Sequence, residues 1–322
     1  MRIDPAIAAL QRDPELQRQA QQAMIEACHT WRALPEVAPL VAELDSYGTG
    51  AALEECPALE AAFTTAQGAA AAAASLVRQF STLLVQQQFG QVPFRHAFDG
   101  EVSTLLLVRS GRAQIVLHAR EPGEWNHDQA GFSAGERYEA VLAGAATAQI
   151  VRRATPAAGH PLHAERIELQ PGARIALHLA EEALQLRRVD QRLVALRLNR
   201  FAADPGPTRH HALADGRLLH QSAGSLVSSR QEMMLAILGR MKRTDAAPAM
   251  ADLALDKAAD ESLRWQALRK CLALDSGAGF IALATVASDA ADPLAAPAGA
   301  LRARLIESHP QLLQLEDARC PA

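Results

Sequence analysis

The 322-residue sequence is short of several residue types, and each shortage argues against a class of protein. Its four cysteines are far apart and form no Cys-x-x-Cys pair, which argues against a disulfide framework and against a zinc ribbon. Only three lysines occur, and the arginines are interspersed with acidic residues at a net charge of -4, so we expect no nucleic-acid partner. The G-x-S-x-G, P-loop and G-x-G-x-x-G motifs are also missing, and nothing indicates a nucleophile elbow or a phosphate-binding loop.

Long apolar runs are scarce as well. No stretch approaches the roughly 20 apolar residues of a membrane span, and charged residues such as Arg2 and Asp4 occupy the N-terminus where a signal peptide would be apolar. We therefore expect a cytoplasmic protein with no membrane partner. Its alanine- and arginine-rich composition is of a bacterial type, and with aromatics at only 4% its core must be largely aliphatic.

The clearest structural pattern is a β-signal from Glu165 to Arg200. Apolar and polar residues alternate there with the period of two that is typical of half-buried strands. Gln170-Pro171-Gly172-Ala173 predicts a type II turn, since proline fixes φ at its second position and glycine supplies the positive φ at its third. Val189–Arg192 predicts a second tight turn, so the stretch is interpreted as two consecutive antiparallel hairpins.

A similar pattern occurs 79 residues earlier. The segment from Leu105 to Leu117 aligns with the segment from Leu184 to Leu196 without a gap. Chance matches are frequent in a chain so rich in alanine and arginine, and a duplication that gives two related β units remains an open alternative.

Helical patterns flank the β region. Before it, eight residues spaced alternately by four and three form a 3.5-residue seam on a helix over 58–88: Leu59, Phe63, Ala66, Ala70, Ala73, Val77, Phe80 and Leu84. The seam is interpreted either as packing against the other N-terminal helices or as the interface of a homo-oligomer. The domains expected are an N-terminal helical region (1–90), a double β unit (91–228) and a C-terminal helical bundle (229–322).

Two features define the expected C-terminal bundle. Ser229 to Glu232 predicts a capping box, opening a helix that buries a stripe at Met233, Met234, Ile237, Leu238 and Met241. A helix pair near residues 260–288 is similar to a single HEAT repeat, and Arg264 and Arg269 are expected on exposed faces.

Gly172 is followed after five residues by His178, then by a series of strand pairs, and then by Pro205-Gly206 before His210. The order of these residues resembles that of the cupin family. The resemblance covers residues 91–228 and implies a small antiparallel β-barrel between helical regions, so the predicted fold class is α+β. Ala180 stands where metal-binding cupins carry a second histidine, and Leu184 or Gln185 lies near the position of their glutamate. We therefore expect no metal and no cofactor.

Alternation also assigns the faces of the predicted strand around His178. Ile175, Leu177 and Leu179 share one side, which is predicted to fill an apolar interior, while His178 points outward. The assignment inverts if helices cover the outside of the barrel. The candidate ligand-binding residues are His178, Arg209, His210, His211 and His220, and no catalytic residue is assigned. The leading hypothesis is a non-catalytic binding or regulatory protein for a small molecule or a protein. The alternatives are a divergent cupin oxygenase or isomerase that uses these histidines, and a structural homo-oligomer.

Overall fold

The computed structural model describes residues 14–65, 68–153 and 162–314, and these form an α+β fold, as the sequence predicts. The α-helices are α1 (Glu15–Arg32), α2 (Ala38–Thr49), α3 (Pro57–Thr64), α4 (Gly68–Gln86), α5 (Leu226–Arg240), α6 (Ala247–Leu255), α7 (Glu261–Leu274), α8 (Ser276–Ser288) and α9 (Ala295–Ser308). The strands are β1 (Arg95–Phe98), β2 (Val102–Ser110), β3 (Ala113–Arg120), β4 (Gly123–Glu124), β5 (Gln129–Phe132), β6 (Gly135–Arg153), β7 (Leu162–Leu169), β8 (Arg174–His178), β9 (Glu182–Phe201), β10 (Thr208–Ala212) and β11 (Leu218–Ser222).

The N-terminal helices pack on one face of the main sheet. Trp31 on α1 links them, because its indole Nε1 donates a 3.2 Å hydrogen bond to Ser75 Oγ on α4 and its ring meets Phe94 edge-to-face at 5.7 Å. The apolar core formed here joins residues of α1 to α4 with Leu107, Ile115 and other residues of the sheet. Helices and strands therefore share one core in this part of the chain.

The helix predicted over 58–88 is in fact two helices. Thr65 is extended after α3, and α4 begins at Gly68, where a Cβ would lie 2.5 Å from Ala62 Cα. Glycine thus permits the chain to return closely against α3. Of the predicted seam, Leu59, Phe63 and Phe80 are buried in the shared core, Ala73 is half-buried, Ala70, Val77 and Leu84 are exposed, and Ala66 lies outside the described residues.

Helix α4 is also the one described helix that is long and apolar enough to cross a membrane, judged by length and composition. Core helices of soluble proteins pass the same test. Its buried face, which includes Leu76 and Phe80, packs in the core shared with the sheet.

The main sheet has the strand order β1-β2-β3-β9-β6-β7, with β4 added to β9 and β8 added to β6. No described strand joins β1 to β7, so the expected barrel is not closed. The turn predicted at Val189–Arg192 is wrong, because these residues lie inside the continuous strand β9. Strand β3 pairs with β9 in the same sheet, and the duplication of the two segments stays a prediction.

Strands β6 and β9 bend instead of turning. Their register shifts at several points between Val141 and Ala148, and such bulges bend and twist a strand. A second apolar core forms on the face away from the helices, where Val141 and Leu193 meet Ile175, Leu177 and Leu186. This face is the interior of the β core.

The turn at Gly172 is confirmed, with φ of +94° at the glycine and a 2.9 Å hydrogen bond from Ala173 N to Gln170 O. The prediction that the strands on either side of this turn form a hairpin is wrong, because β7 and β8 both pair with β6. Residues 146–153 of β6 bind β7 and residues 136–140 bind β8. The turn connects two strands that use different lengths of the same partner.

The chain divides into two compact units, one formed by Met1–Asp204 and His210–Leu219, the other by Pro205–Arg209 and His220–Ala322. The second unit contains the bundle α5 to α9 around a core that includes Leu263, Leu268 and Phe280. Helices α7 and α8 approach closely at Gly279, where a Cβ would lie 2.5 Å from Leu272 backbone atoms.

Three expectations about this bundle are wrong. Helix α5 begins at Leu226, where Ser225 accepts a 3.0 Å hydrogen bond from Ser228 N, so Ser229 is not its cap. The methionine stripe is largely exposed, because α5 turns Leu235 towards the bundle and the stripe away from it; the exposed fractions are 61% for Met233, 54% for Met234, 49% for Ile237 and 59% for Met241, while Leu238 is half-buried. Arg264 is buried, and Arg269 is exposed as expected.

The buried Arg264 is held by two partners. Its Nη1 donates to Asp292 Oδ1 at 3.1 Å, and its Nε donates to Ala254 O at 3.0 Å. Asp292 is itself buried. The pair therefore ties α7 to the start of the last helix.

Replacing Arg264 with alanine should lower the free energy of unfolding by about 3–5 kcal/mol, because it leaves the Asp292 carboxylate buried and unpaired. Urea unfolding of the purified protein measures this. Arg269→Ala, on the exposed side of the same helix, is the matched control and should change the value by about 0.5 kcal/mol or less. Equal effects of the two substitutions would contradict the structural role of the pair.

Candidate functional site

Five polar side chains occupy the interior face of the β core, and we call them the interior cluster: His118 and Arg120 on β3, Arg137 and Glu139 on β6, and Arg197 on β9. Their neighbours Leu117, Tyr138 and Leu196 pack in the core shared with the helices. Successive side chains of a strand point to opposite faces, so the cluster points into the interior.

Glu139 lies at the centre of the interior cluster. It is the register partner of Arg197, whose Nη2 lies 2.7 Å from Glu139 Oε1. Arg137 Nη1 lies 3.9 Å from the same oxygen, and His118 Nε2 lies 3.4 Å from Oε2. Arg137 also donates from Nε to Asn199 Oδ1 at 3.2 Å. One carboxylate therefore faces two guanidinium groups and an imidazole.

The centre of the cluster is deeply buried and its three arginines are half-buried, yet its hydrogen bonding is incomplete. His118 and Glu139 are 1% and 2% exposed. Within the described residues, six buried cluster atoms have no correctly oriented hydrogen-bond partner: both ring nitrogens of His118, Nε of Arg120, Nε and Nη2 of Arg197, and Oε1 of Glu139. Since buried polar groups are almost always paired, this concentration indicates a place for a polar ligand or ordered water.

Burial and mutual repulsion shift the titration of the cluster. Burial, followed by the charge of Arg197, lowers the pKa of His118 to about 4 despite the opposing effect of Glu139. The same two causes lower the pKa of Arg120 and of Arg137 to about 10 each. Burial would raise the pKa of Glu139, but Arg197, His118 and Arg137 outweigh it and hold that pKa well below its usual range. At neutral pH the imidazole is uncharged and the carboxylate is ionised.

Trp125 borders the cluster. The Arg120 guanidinium lies 5.7 Å from the centroid of the indole ring, within the range of a cation–π contact. The Trp125 backbone N–H donates to Arg187 O at 2.9 Å, and its half-buried side chain packs on the second core. The indole thus lies between Arg120 and the apolar part of the interior.

The sequence predicted an apolar interior, and the interior cluster corrects this prediction. The donor groups of the cluster nevertheless do not suit a metal. Divalent cations are bound by several carboxylates, imidazoles or thiolates. The cluster offers one carboxylate and one imidazole among three guanidinium groups. No group of three or more metal-type ligands occurs among the residues that the structure describes.

His178 lies elsewhere, on an outer cleft of about 630 Å³. It is exposed on the side of β8 opposite the buried Ile175 and Leu177. Glu136 and Arg200 line the same cleft, joined by a 2.8 Å ion pair.

Tyr47 on helix α2 contacts both members of the Glu136–Arg200 ion pair. Its hydroxyl donates to Glu136 at 2.9 Å, and the Arg200 guanidinium stacks over its ring at 4.1 Å. Burial would raise the pKa of Glu136, but hydrogen bonds from Arg200 and Tyr47 lower it. The charged groups behind His178 are thus paired with one another.

The other four candidates lie on the β10–β11 hairpin. His210 and His211 fall in the first unit, and Arg209 and His220 fall in the second. His211 Nδ1 lies 2.9 Å from Gly216 O, and its ring meets Phe132 edge-to-face at 5.9 Å. His178 lies on β8 and the other four lie on the hairpin, and all five remain predictions as ligand-binding residues.

Comparison with known proteins gives limited similarity. No known protein family matches the sequence, and no curated protein matches it either. The similar solved structures include vicilin from Capsicum annuum, with 19% identity, TM-score 0.28, and coverage of 37% of this chain and 33% of that one. A cupin superfamily protein from Desulfitobacterium hafniense shares 19% identity at TM-score 0.25, over 33% of this chain and 83% of that one. The capsular polysaccharide assembling protein CapF from Staphylococcus aureus shares 11% identity at TM-score 0.28, over 35% and 32%.

Among these structures, the protein from Desulfitobacterium hafniense is described as a cupin superfamily protein, the family that the sequence was expected to resemble weakly. The chain spans about a third of the length of the vicilin and CapF structures. Function must therefore be argued from the chain's own residues.

Sequence reasoning missed the interior cluster, although a signal existed. His118 and Arg120, Arg137 and Glu139, and Arg197 and Asn199 each stand two apart within a strand. Residues two apart share a face. Three strands with such polar pairs indicate a polar patch once those strands are known to be adjacent.

His118 predicts a particular dependence of stability on pH. Its folded-state pKa of about 4 lies below its ordinary value of 6.5, so the unfolded chain binds the proton first as the pH falls. The contribution of His118 to the free energy of unfolding is therefore fully present above about pH 6.5 and is lost towards pH 4. Between pH 7 and pH 5 the loss due to His118 should be about 1–2 kcal/mol.

Urea unfolding of His118→Gln at several pH values tests this, and the variant should show that much less pH dependence than the wild type. His178→Gln, which replaces an exposed histidine outside the cluster, is the matched control for the substitution itself. A His118→Gln slope equal to that of the wild type would show that His118 is not held neutral by its surroundings.

Proposed function

We propose that this protein is a non-catalytic binding protein whose β core holds a small polar molecule against the interior cluster. The observation that carries the proposal is the set of buried atoms without hydrogen-bond partners on His118, Arg120, Glu139 and Arg197. An unpaired buried donor costs about 1–3 kcal/mol. A ligand that pairs several of them would recover this cost on binding.

The titration of the cluster favours binding over catalysis. A general acid or base works best with a pKa near the operating pH. His118, with a pKa of about 4, and the ion-paired Glu139 both keep one protonation state around neutrality. Fixed charge and fixed hydrogen-bond roles suit recognition of a ligand. Neither a nucleic acid nor a membrane is needed for this role, and we propose a cytoplasmic location on composition alone.

An enzyme is the second candidate, and the outer cleft favours it. His178 is exposed there beside the Glu136–Arg200 pair, in a space large enough for a small substrate. Such a divergent cupin oxygenase or isomerase would depend on His178. Loss of an activity in His178→Ala, together with retention in Arg197→Lys, would support this candidate.

A structural homo-oligomer is the third candidate. Helix α4 exposes Val77, Leu84 and Val85 at 62%, 44% and 76%. These side chains could contact a second copy, and a monomeric mass in dilute solution would exclude the candidate.

The binding proposal is tested by thermal unfolding of the purified protein with a panel of sugars, amides, amino acids, carboxylates and phosphate esters. A ligand at a hundred times its Kd stabilises by about 2.7 kcal/mol, which is roughly 5–10 °C for a domain of this size. At least one compound should give such a rise in Tm.

Arg197→Lys keeps the charge of the cluster but loses the geometry of the guanidinium, and it should abolish the rise. Arg109→Lys is the matched control, because Arg109 is an exposed arginine on β2, and it should preserve the rise. A rise that survives in Arg197→Lys, or a panel that raises the Tm in no case, would contradict the proposal.

A further inference from the structure

The interior cluster carries more positive than negative charge. Arg120, Arg137 and Arg197 each contribute one positive charge, since guanidinium remains protonated in proteins. Glu139 contributes one negative charge, and His118 is neutral at pH 7. Three positive charges less one negative charge leave two positive charges in the interior.

Inside the cluster this excess is not offset, and the exposed carboxylate of Asp99, outside the cluster, is a further negative charge that acts on Arg120. The ion pairs of the cluster all use the same carboxylate, that of Glu139. Arg120 has no ion pair with a carboxylate among the described residues, and its close polar contact is the face of Trp125. Three guanidinium groups thus share one buried carboxylate, and buried charge that is not fully compensated is costly, which points to an anionic ligand.

The unpaired atoms define what that group must be. Nε of Arg120 and Nε of Arg197 are both N–H donors, and neutral His118 supplies one further N–H. A site of convergent guanidinium donors suits the planar or tetrahedral oxygens of a carboxylate or phosphate group. Neutral sugars and amides would leave the charge excess in place.

We propose that the ligand of the interior cluster is a small dianionic oxyanion, bound by the guanidinium groups of Arg120 and Arg197 and by the imidazole of His118. This inference rests on the proposed binding function and adds the charge and chemical class of the ligand. A molecule with two carboxylates and a molecule with one phosphate group share this chemistry.

Each arginine has a different role in this site. Arg197 is tied to Glu139 at 2.7 Å and serves both the fold and the ligand. Arg120 has no such close ion pair, although the charges of Glu139 and Asp99 act on it, so its positive charge serves the ligand more than the fold. Its removal should therefore weaken binding without weakening the fold, a combination that a merely structural residue would not give.

Isothermal titration at pH 7 tests the charge requirement with succinate, its monoamide succinamate, its diamide succinamide, and inorganic phosphate. The expected order of affinity is succinate or phosphate first, then succinamate at least tenfold weaker, with no measurable binding of succinamide. Tight binding of succinate alone would assign a dicarboxylate, and tight binding of phosphate alone would assign a phosphate group.

Arg120→Met should reduce the affinity for the dianion at least a hundredfold and raise the Tm of the ligand-free protein by about 2–5 °C, because it removes one half-buried positive charge from a cluster with an excess of positive charge. Arg109→Met is the matched control and should leave both quantities unchanged. Unchanged affinity for the dianion in Arg120→Met would overturn the inference, as would absence of binding for all four probes.

The two proposals fail in different ways. A neutral or singly charged compound from the panel that binds only when Arg197 is intact, with no dianion binding, would overturn the dianion inference and support the binding function. If no compound of any charge binds in a manner that depends on Arg197, both proposals fail.

Discussion

The ion pair of Glu139 and Arg197 is the constraint on which the interior of the β core depends. The two residues are register partners on β6 and β9, the strands with the longest pairing in the sheet, and they lie beside the bend in both strands. Burial alone would neutralise the carboxylate, yet the surrounding positive charges keep it ionised. Once Glu139 is ionised and fixed, it holds His118, Arg137 and Arg197 in a small volume, and a buried pair of this kind is costly to break.

The same strands serve two purposes through their alternation. One set of side chains, including Leu117, Tyr138 and Leu196, anchors the N-terminal helices. The other set carries the interior cluster. The helices therefore cover one face of the sheet, and the interior cluster lies on the opposite face beside the second apolar core and Trp125. The outer cleft at His178 differs, because Glu136, Arg200 and Tyr47 satisfy one another there.

Local sequence signals predicted the local structure and little beyond it. The turn at Gly172 and the alternation of Ile175, Leu177 and His178 depend only on nearby residues, and both are as expected. The prediction of a turn at Val189–Arg192 was wrong because pairing with β6 holds these residues in a long bent strand. The prediction that the methionine stripe of α5 is buried was wrong for a similar reason. Periodicity identifies an apolar face but not the element that covers it. The interior cluster could not be predicted from local patterns, because its members come from three strands and no local pattern specifies that these strands are adjacent.

The central claim is that the interior cluster has an excess of positive charge that a bound oxyanion neutralises. A crystal structure of the protein soaked in selenate tests it most directly, because the selenium atom gives an anomalous signal that locates the anion. The account predicts an anomalous peak in the interior, with selenate oxygens around it within hydrogen-bond distance of Arg120 Nε and Arg197 Nε. An interior without such a peak, with selenate bound only at the outer cleft or on the surface, would contradict it.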